Sequence, residues 1–195
     1  MRSLLLDLPN AVTLTGLAAG VWALGLVVQQ RFGAALALAL IAVMIDQLDG
    51  YLALRRPERS LGVKIFGAHL DCYADYVSKG MFPALMLLCL AGFGPGFWAV
   101  AVLQVGTIAV RYSYEFVPDA PRRGLSPDFS LVSFAMLYLG APLWGNHYPA
   151  ILAAAMVVLM GLNLAPFAVP KLKGAGLVAF ITLALALIVA LFLRG

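Results

Sequence analysis

Long apolar stretches recur along this chain and constrain its fold more than any other feature. A helix needs ~20 apolar residues to cross a bilayer. Seven stretches reach or approach that length, at residues 10–28, 34–54, 67–90, 97–116, 129–144, 150–169 and 175–193. Hydrophobic residues make up 63% of the 195 positions and charged residues 11%, too apolar a mixture for one soluble globule. We therefore predict an all-α polytopic membrane bundle of six to eight transmembrane helices, seven by the number of these stretches, in a single domain over residues 1–195.

The basic residues outside these stretches predict the orientation of the bundle. A cytoplasmic N-terminus puts nine of them on the cytoplasmic side and only Arg31 and Arg194 on the other. The nine are Arg2, Arg55, Arg56, Arg59, Lys64, Arg122, Arg123, Lys171 and Lys173. This distribution follows the positive-inside rule and favours a cytoplasmic N-terminus. The net charge of +4 is small and spread along the chain, which disfavours a nucleic acid as partner.

Five of the nine acidic residues lie in or beside predicted spans: Asp46, Asp49, Asp71, Asp75 and Glu115. A carboxylate in the membrane interior costs at least ~2.5 kcal/mol, so these positions call for a function. The first two aspartates are three residues apart and the next two are four apart, so each pair shares one helical face. The pairs lie at the cytoplasmic ends of consecutive spans. Antiparallel packing therefore predicts that all four meet near the cytoplasmic surface.

Four converging carboxylates need cations, and Lys79 and Arg111 are the only basic residues deep in the spans. Without more positive charge, most of the carboxylates would have to be protonated. Divalent Mg²⁺, Mn²⁺ or Ca²⁺ would resolve the repulsion, since these ions prefer oxygen ligands. Two other interpretations stay open from the positions alone. The acids could be paired with polar neighbours in a structural role, or they could form a proton or ion relay in a transporter.

The aspartates belong to an ordered motif. Its members are Asp46, Asp49, Gly50, Ala53, Gly67, Asp71 and Asp75. This motif resembles the signature of the CDP-alcohol phosphatidyltransferase family, Asp-x₂-Asp-Gly-x₂-Ala-Arg, a spacer, then Gly-x₃-Asp-x₃-Asp. Two features depart from it. Leu54 stands where the family usually has Arg, and the spacer of residues 55–66 is longer than usual.

Two branches of that family are similar to different parts of the sequence. The long spacer, the Asp75-Tyr76 pair and the Phe82-Pro83 pair resemble the bacterial phosphatidylcholine synthases. Residues 71–84 resemble the Leu-Asp-Ser-x-Ala-Asp…Ser-Phe-Gly…Pro-Ala segment of the phosphatidylserine synthases. The alcohol that the protein uses as acceptor therefore stays open at this point.

The resemblance implies a metal-dependent phospholipid synthase in a bacterial or archaeal cytoplasmic membrane, with its active site facing the cytoplasm. It would transfer a phosphatidyl group from CDP-diacylglycerol to a small alcohol such as serine or choline and release CMP. Two Mg²⁺ or Mn²⁺ ions would be held by Asp46, Asp49, Asp71 and Asp75. The last of these, Asp75, would also be the general base that takes the proton of the acceptor hydroxyl.

Two further groups of residues are candidates for substrate binding. The residues expected to bind CDP are Asn10, Thr13, Asp49, Gly50, Ala53, Gly67 and Asp71. The residues expected to bind the acceptor are Lys79, Arg111, Tyr114 and Glu115. Basic side chains suit the carboxylate of serine or an incoming phosphate. An aromatic face with a carboxylate nearby suits the trimethylammonium group of choline.

Several alternatives accompany these predictions. The protein could be a cation- or proton-coupled transporter, a catalytically inactive relative, or an enzyme of the same family that uses inositol or glycerol 3-phosphate. Arg111 and Glu115, four residues apart, could form only an intrahelical ion pair. Asn10 is expected to cap the first span. Besides membrane lipids, a second copy of the chain is a candidate partner, because Gly16 and Gly20 have a spacing typical of helix packing or a dimer face.

Overall fold

The computed structural model describes residues 2–119, 121, 123–167 and 174–194, and this part of the chain contains helices and no strand. The α-helices are α1 Arg2–Leu5, α2 Leu8–Val28, α3 Phe32–Leu54, α4 Leu61–Asp75, α5 Phe82–Leu90, α6 Pro95–Glu115, α7 Pro127–Leu139, α8 Ala141–Trp144, α9 Tyr148–Leu164 and α10 Ala175–Arg194. A π-helical turn, Tyr76–Met81, joins α4 to α5, and a 3₁₀ turn, Gly145–His147, joins α8 to α9. The prediction of an all-α bundle is confirmed. The predicted topological roles of Arg122, Lys171 and Lys173 fall outside the described residues.

In the described part of the chain, four helical segments are long and apolar enough to cross a membrane: Leu8–Val28, Phe32–Leu54, Ala141–Leu164 and Ala175–Arg194. Helix α7 is a shorter apolar helix. Of the other two predicted spans, 67–90 corresponds to the continuous segment from α4 to α5, and 97–116 corresponds to α6. These two segments carry most of the charged residues of the predicted spans. Each apolar stretch of the sequence therefore forms a helical unit, and seven spans stays a prediction.

The boundaries of three predicted spans need correction. Asp7, not Asn10, is the N-cap of α2, and its carboxylate accepts a hydrogen bond of 3.4 Å from the backbone N–H of Asn10. The stretch 129–144 breaks after Leu139 into a separate short helix. The stretch 150–169 ends its helix at Leu164, because Pro166 forces the preceding residue into an extended conformation.

Helices α2 and α3 pack closely at the centre of the bundle. A Cβ atom on Gly16 of α2 would lie 3.2 Å from the side chain of Ile45 on α3. One on Gly20 would lie 3.4 Å from the side chain of Val77 in the π turn. Small residues at these positions thus let neighbouring backbones approach, as in other membrane bundles. The Gly16–Gly20 face is therefore buried within the chain, and a role for it between two copies is not supported.

The π turn has a specific cause in the sequence. Pro83 lacks an amide hydrogen, so it cannot donate to the carbonyl of Lys79 four residues before it. That carbonyl instead accepts a hydrogen bond of 2.9 Å from the side-chain amide of Gln104 on α6. The backbone N–H of Phe82 reaches back five residues to the carbonyl of Val77, which is the π pattern. The turn therefore fixes the rotation of Lys79 and ties it to α6.

Candidate active site

A cavity of about 440 Å³ opens at the end of the bundle where α3 ends and α7 begins. Residues of α3, α4, the π turn, α6, α7 and α10 line it. The N-termini of α2 and α4 lie at the same end, together with the exposed Arg55 and Arg56 of the connection between α3 and α4. Four aspartates of the sequence motif line this cavity, so the predicted convergence of the two pairs is confirmed.

Asp46, Asp49 and Asp71 form a group that could hold a metal ion. One carboxylate oxygen of each lies within 4.8 Å of the others. The three-residue spacing on α3 points both of its aspartates at α4, which supplies the third. A set of donors made of carboxylate oxygens alone suits a hard divalent cation such as Mg²⁺, Mn²⁺ or Ca²⁺.

The hydrogen bonds of this group support a cation. Oδ2 of Asp49 accepts a hydrogen bond of 2.5 Å from the hydroxyl of Thr13 on α2. Oδ1 of Asp71 is buried and has no hydrogen-bond partner within the described part of the chain. A buried carboxylate oxygen without a partner is costly, and a metal ion would remove that cost. The residues therefore fit a divalent ion, and Thr13 orients one of its ligands.

Asp75 has a different environment, although it is only one helical turn from Asp71. Its Oδ1 lies 2.7 Å from the ammonium group of Lys79, and its Oδ2 accepts a hydrogen bond from the hydroxyl of Tyr112 on α6. The ammonium group also lies 3.0 Å from Oδ2 of Asp46 and 2.6 Å from Oδ1 of Asp128. One buried lysine thus joins carboxylates from α3, α4 and α7.

Asp128 and Gln47 are site residues that sequence reasoning missed. Asp128 lies in the first turn of α7, where the Ser126 side chain caps the helix and donates to it at 3.0 Å. The side-chain amide of Gln47 donates to the same carboxylate at 3.2 Å. The signal for Asp128 was available, since Ser-Pro-Asp directly before an apolar stretch is typical of a helix start. The position of Asp128 beside the cavity depends on how α7 packs against the other helices, which no local sequence pattern predicts.

The candidate CDP-binding residues divide into two sets. Asp49, Gly50 and Asp71 line the cavity, and the space beside Gly50 is open. Asn10, Thr13, Ala53 and Gly67 do not line it. The Asn10 amide donates to the carbonyl of Leu4 at 2.8 Å and accepts from Arg59 at 2.7 Å, so both of its ends are in use.

Gly67 has a structural reason to be a glycine. A Cβ atom there would collide with the Asn10 side chain and lie 3.2 Å from the guanidinium group of Arg59. That guanidinium group also forms a buried ion pair of 2.6 Å with Asp7. The contacts join the start of α2, the connection after α3, and α4. They hold the helices beside the cavity in place, and the predicted role of Gly67 in nucleotide binding stays untested.

The candidate acceptor residues are also separated. Lys79 lies inside the carboxylate cluster, as described above. Arg111 lines the cavity, and its Nη1 donates to the backbone carbonyls of Arg123 and Asn163 at 2.6 Å each. Glu115 lines the cavity and, within the described residues, forms no ion pair with Arg111, whereas Tyr114 lies outside the lining. The intrahelical pair is therefore absent because Arg111 binds two backbone carbonyls instead.

A comparison with protein families decides the identity of this site. The family model described as CDP-alcohol phosphatidyltransferase matches residues 6–193, nearly the whole chain. The chain belongs to the CDP-alcohol phosphatidyltransferase family. This family membership and the aspartate motif support each other, because the motif residues are those that meet in the cavity.

Three relatives show which branches of the phosphatidyltransferase family the chain resembles. A CDP-diacylglycerol–serine O-phosphatidyltransferase of Mycobacterium tuberculosis is 32% identical over 53% of this chain and 35% of its own length. A phosphatidylcholine synthase of Legionella pneumophila is 33% identical over 59% of this chain and 43% of its own. An archaetidylserine synthase of Methanothermobacter thermautotrophicus is 30% identical over 43% and 35%. The matched segments thus span less than half of each relative.

Proposed function

We propose that this protein is an integral membrane phospholipid synthase that transfers a phosphatidyl group from CDP-diacylglycerol to a small amino alcohol, serine or choline, and releases CMP. The observation that carries the proposal is the Asp46, Asp49 and Asp71 group at the wall of the cavity. It has the residue order of the family signature. Membership of a phosphatidyltransferase family disfavours the transporter alternative.

The chemistry assigns separate tasks to the two halves of the motif. Asp46, Asp49 and Asp71 would hold a Mg²⁺ or Mn²⁺ ion, which would supply positive charge to the diphosphate and to the departing CMP. Asp75 takes the proton of the acceptor hydroxyl, since each carboxylate oxygen can accept a further hydrogen bond beside those from Lys79 and Tyr112. Gly50 leaves open space through which the nucleotide can approach the backbone.

The basic residues near the cavity also support its location. Arg55, Arg56 and Arg59 lie in the connection between α3 and α4, and the positive-inside rule favours a cytoplasmic position for such a connection. The relatives named above come from bacteria and an archaeon, which supports a prokaryotic cytoplasmic membrane.

The cavity wall has features that suit either acceptor. A serine carboxylate needs a cation, and Arg111 in the lining uses Nη1 for two backbone carbonyls but has a buried Nε without a partner among the described residues. Choline needs aromatic faces and negative charge, which Tyr112 and Glu115 offer in the lining.

The test is the release of CMP by the purified full chain in lipid nanodiscs. CDP-diacylglycerol and Mn²⁺ or Mg²⁺ are supplied with labelled choline, serine, inositol or glycerol 3-phosphate in turn. We expect CMP and labelled phospholipid with choline or serine, and none after the metal is chelated. No CMP with any acceptor in either metal would contradict the proposed function. Turnover with inositol or glycerol 3-phosphate alone would contradict only the choice of acceptor.

Replacing Asp75 with Asn tests its role as the base. Turnover should be lost, because the amide cannot take a proton, while metal-dependent binding of CDP-diacylglycerol is largely kept. Turnover is measured as CMP release and binding with a radiolabelled nucleotide lipid. Near-normal turnover of Asp75→Asn would show that Asp75 is not the base.

A further inference from the structure

Lys79 sits at the point where carboxylates from three helices meet. Its ammonium group lies 2.7 Å from Asp75, 3.0 Å from Asp46 and 2.6 Å from Asp128. The ammonium group donates a hydrogen bond to Asp46 and forms ion pairs with Asp75 and Asp128. Its side chain is only 2% exposed. The positive charge of Lys79 is therefore a fixed part of the cluster.

The two halves of the cluster differ in what they can still bind. Asp71 has a buried Oδ1 without a partner among the described residues, and it faces Asp46 and Asp49. Asp75 has no such vacancy, because Lys79 contacts one of its oxygens and Tyr112 contacts the other. The metal-ligand group accordingly contains Asp46, Asp49 and Asp71 and omits Asp75.

We infer that the ammonium group of Lys79 takes the place of a second divalent ion, so that the protein binds one metal ion, at Asp46, Asp49 and Asp71. A second ion bound by both Asp46 and Asp75 would lie beside the ammonium group, which contacts one oxygen of each. Two neighbouring cations repel strongly in a buried site. The sequence-based expectation of two ions is revised accordingly.

The role of Lys79 is positioning. It connects a ligand of the metal ion, Asp46, to the proposed base, Asp75, and the π turn fixes its backbone through Gln104. The inference rests on the proposed function only in taking the bound group to be a divalent ion. It requires neither a particular acceptor nor turnover.

The experiment counts Mn²⁺ bound to the full chain in nanodiscs without substrate. Free Mn²⁺ is measured by electron paramagnetic resonance during a titration, and the spectrum of the bound ion is recorded at saturation. We expect one ion per chain with the spectrum of an isolated Mn²⁺. Two ions ~4 Å apart, the usual spacing in two-metal sites, would give a coupled spectrum. Two coupled ions in the wild type would overturn the inference.

Two substitutions at position 79 separate charge from shape. Lys79→Met keeps the length of the side chain and removes its charge, so Asp46, Asp75 and Asp128 should recruit a second ion and give the coupled spectrum. Lys79→Arg keeps the charge and should bind one ion. Lys64→Met is the matched control, because Lys64 lies on the exposed face of α4 and contacts only the carbonyl of Pro57 among the described residues. It should bind one ion.

The numbers of Mn²⁺ ions bound by the wild type and the variants support or contradict the inference as follows. A Lys79→Met protein that keeps its helix content and monodisperse elution but still binds one ion would overturn the role of Lys79. If that variant does not fold, the wild-type count and Lys79→Arg still decide, since two ions in either contradict the inference. A wild type that binds no Mn²⁺ would overturn both the metal centre and the inference. One bound ion with no CMP release would contradict the proposed function alone.

Discussion

The two ends of the bundle are held together in opposite ways. At the cavity end, helices meet through buried charges, and the side chain of Lys79 contacts carboxylates of α3, α4 and α7. At the far end, Leu36 of α3 and Leu191 of α10 are fully buried in the apolar core. The charged contact there is exposed, with Arg194 donating to the backbone carbonyls of Tyr138 and Leu139.

This difference separates stability from function. Buried ion pairs contribute little net stability because desolvation offsets their attraction, whereas close packing of apolar side chains contributes directly. We therefore expect substitutions at the cavity end to change metal binding and turnover more than stability. Substitutions at the far end should do the reverse. The four predictions that follow run from the largest to the smallest expected effect on turnover.

Asp71→Asn should have the largest effect. It removes the charge of the ligand with an unpartnered oxygen, and Mn²⁺ affinity and CMP release should each fall at least ~100-fold. Thermal stability should not fall, because a buried charge without a partner is removed. Asp119→Asn, on an exposed loop, is the control. Turnover within a few-fold of wild type would exclude Asp71 as a metal ligand.

Asp128→Asn should have the next largest effect. Lys79 would keep its ion pairs with Asp46 and Asp75 but lose the charge partner that holds it towards α7. Loss of such an outer partner typically lowers activity ~10- to 100-fold. We expect the fall in kcat, with the KM for CDP-diacylglycerol little changed. Equal CMP release by this variant and wild type would show that Asp128 has no part in catalysis.

Thr13→Val should have a smaller effect. It keeps the shape of the side chain and removes the hydrogen bond to Asp49, which should weaken Mn²⁺ binding ~10-fold. Thr15→Val is the matched control, since Thr15 lies on the exposed face of the same helix and donates only to the carbonyl of Val12 among the described residues. Equal Mn²⁺ titrations for the two variants would remove Thr13 from the site.

Leu36→Ala should change turnover least and stability most. Leu36 is fully buried, and the resulting cavity should lower the free energy of unfolding by ~2–5 kcal/mol. Thermal unfolding in nanodiscs measures the loss, while CMP release at low temperature should stay within about twofold of wild type. Leu193→Ala is the control, because Leu193 is 84% exposed. If turnover falls as steeply as stability, the two ends are coupled.

The helical bundle and the meeting of the four aspartates were predictable because both depend on helical periodicity. Residues three or four apart share a face, and consecutive antiparallel helices bring such faces together. Asp46 and Asp71 therefore meet for reasons that are visible in the sequence. The same periodicity allows an ion pair between Arg111 and Glu115, which does not form among the described residues. The carbonyls that Arg111 binds instead come from Arg123 and from Asn163 on α9, which no local spacing indicates.

The partners of Lys79 were the main feature beyond the reach of sequence reasoning. A lysine near the cavity was assigned to the acceptor because its counter-charges were unknown. One of its three carboxylates, Asp128, comes from a helix 49 residues further along the chain. The other two were identified correctly as members of the cluster. The sequence does not show how the π turn rotates Lys79 towards these carboxylates.

That π turn has a consequence for the relative rotation of α4 and α5. A helix turns by ~100° per residue, and a π turn contains one extra residue. The extra residue changes the rotation of the helix beyond the turn relative to the helix before it. The polar face of α4 and the apolar face of α5 are thereby set independently, although they belong to one continuous segment. Deleting Gly80 would close the turn and swing the whole of α4, with Asp71 and Asp75, away from α3. Insertions and deletions in Tyr76–Met81 would therefore change the direction in which Asp71 and Asp75 point.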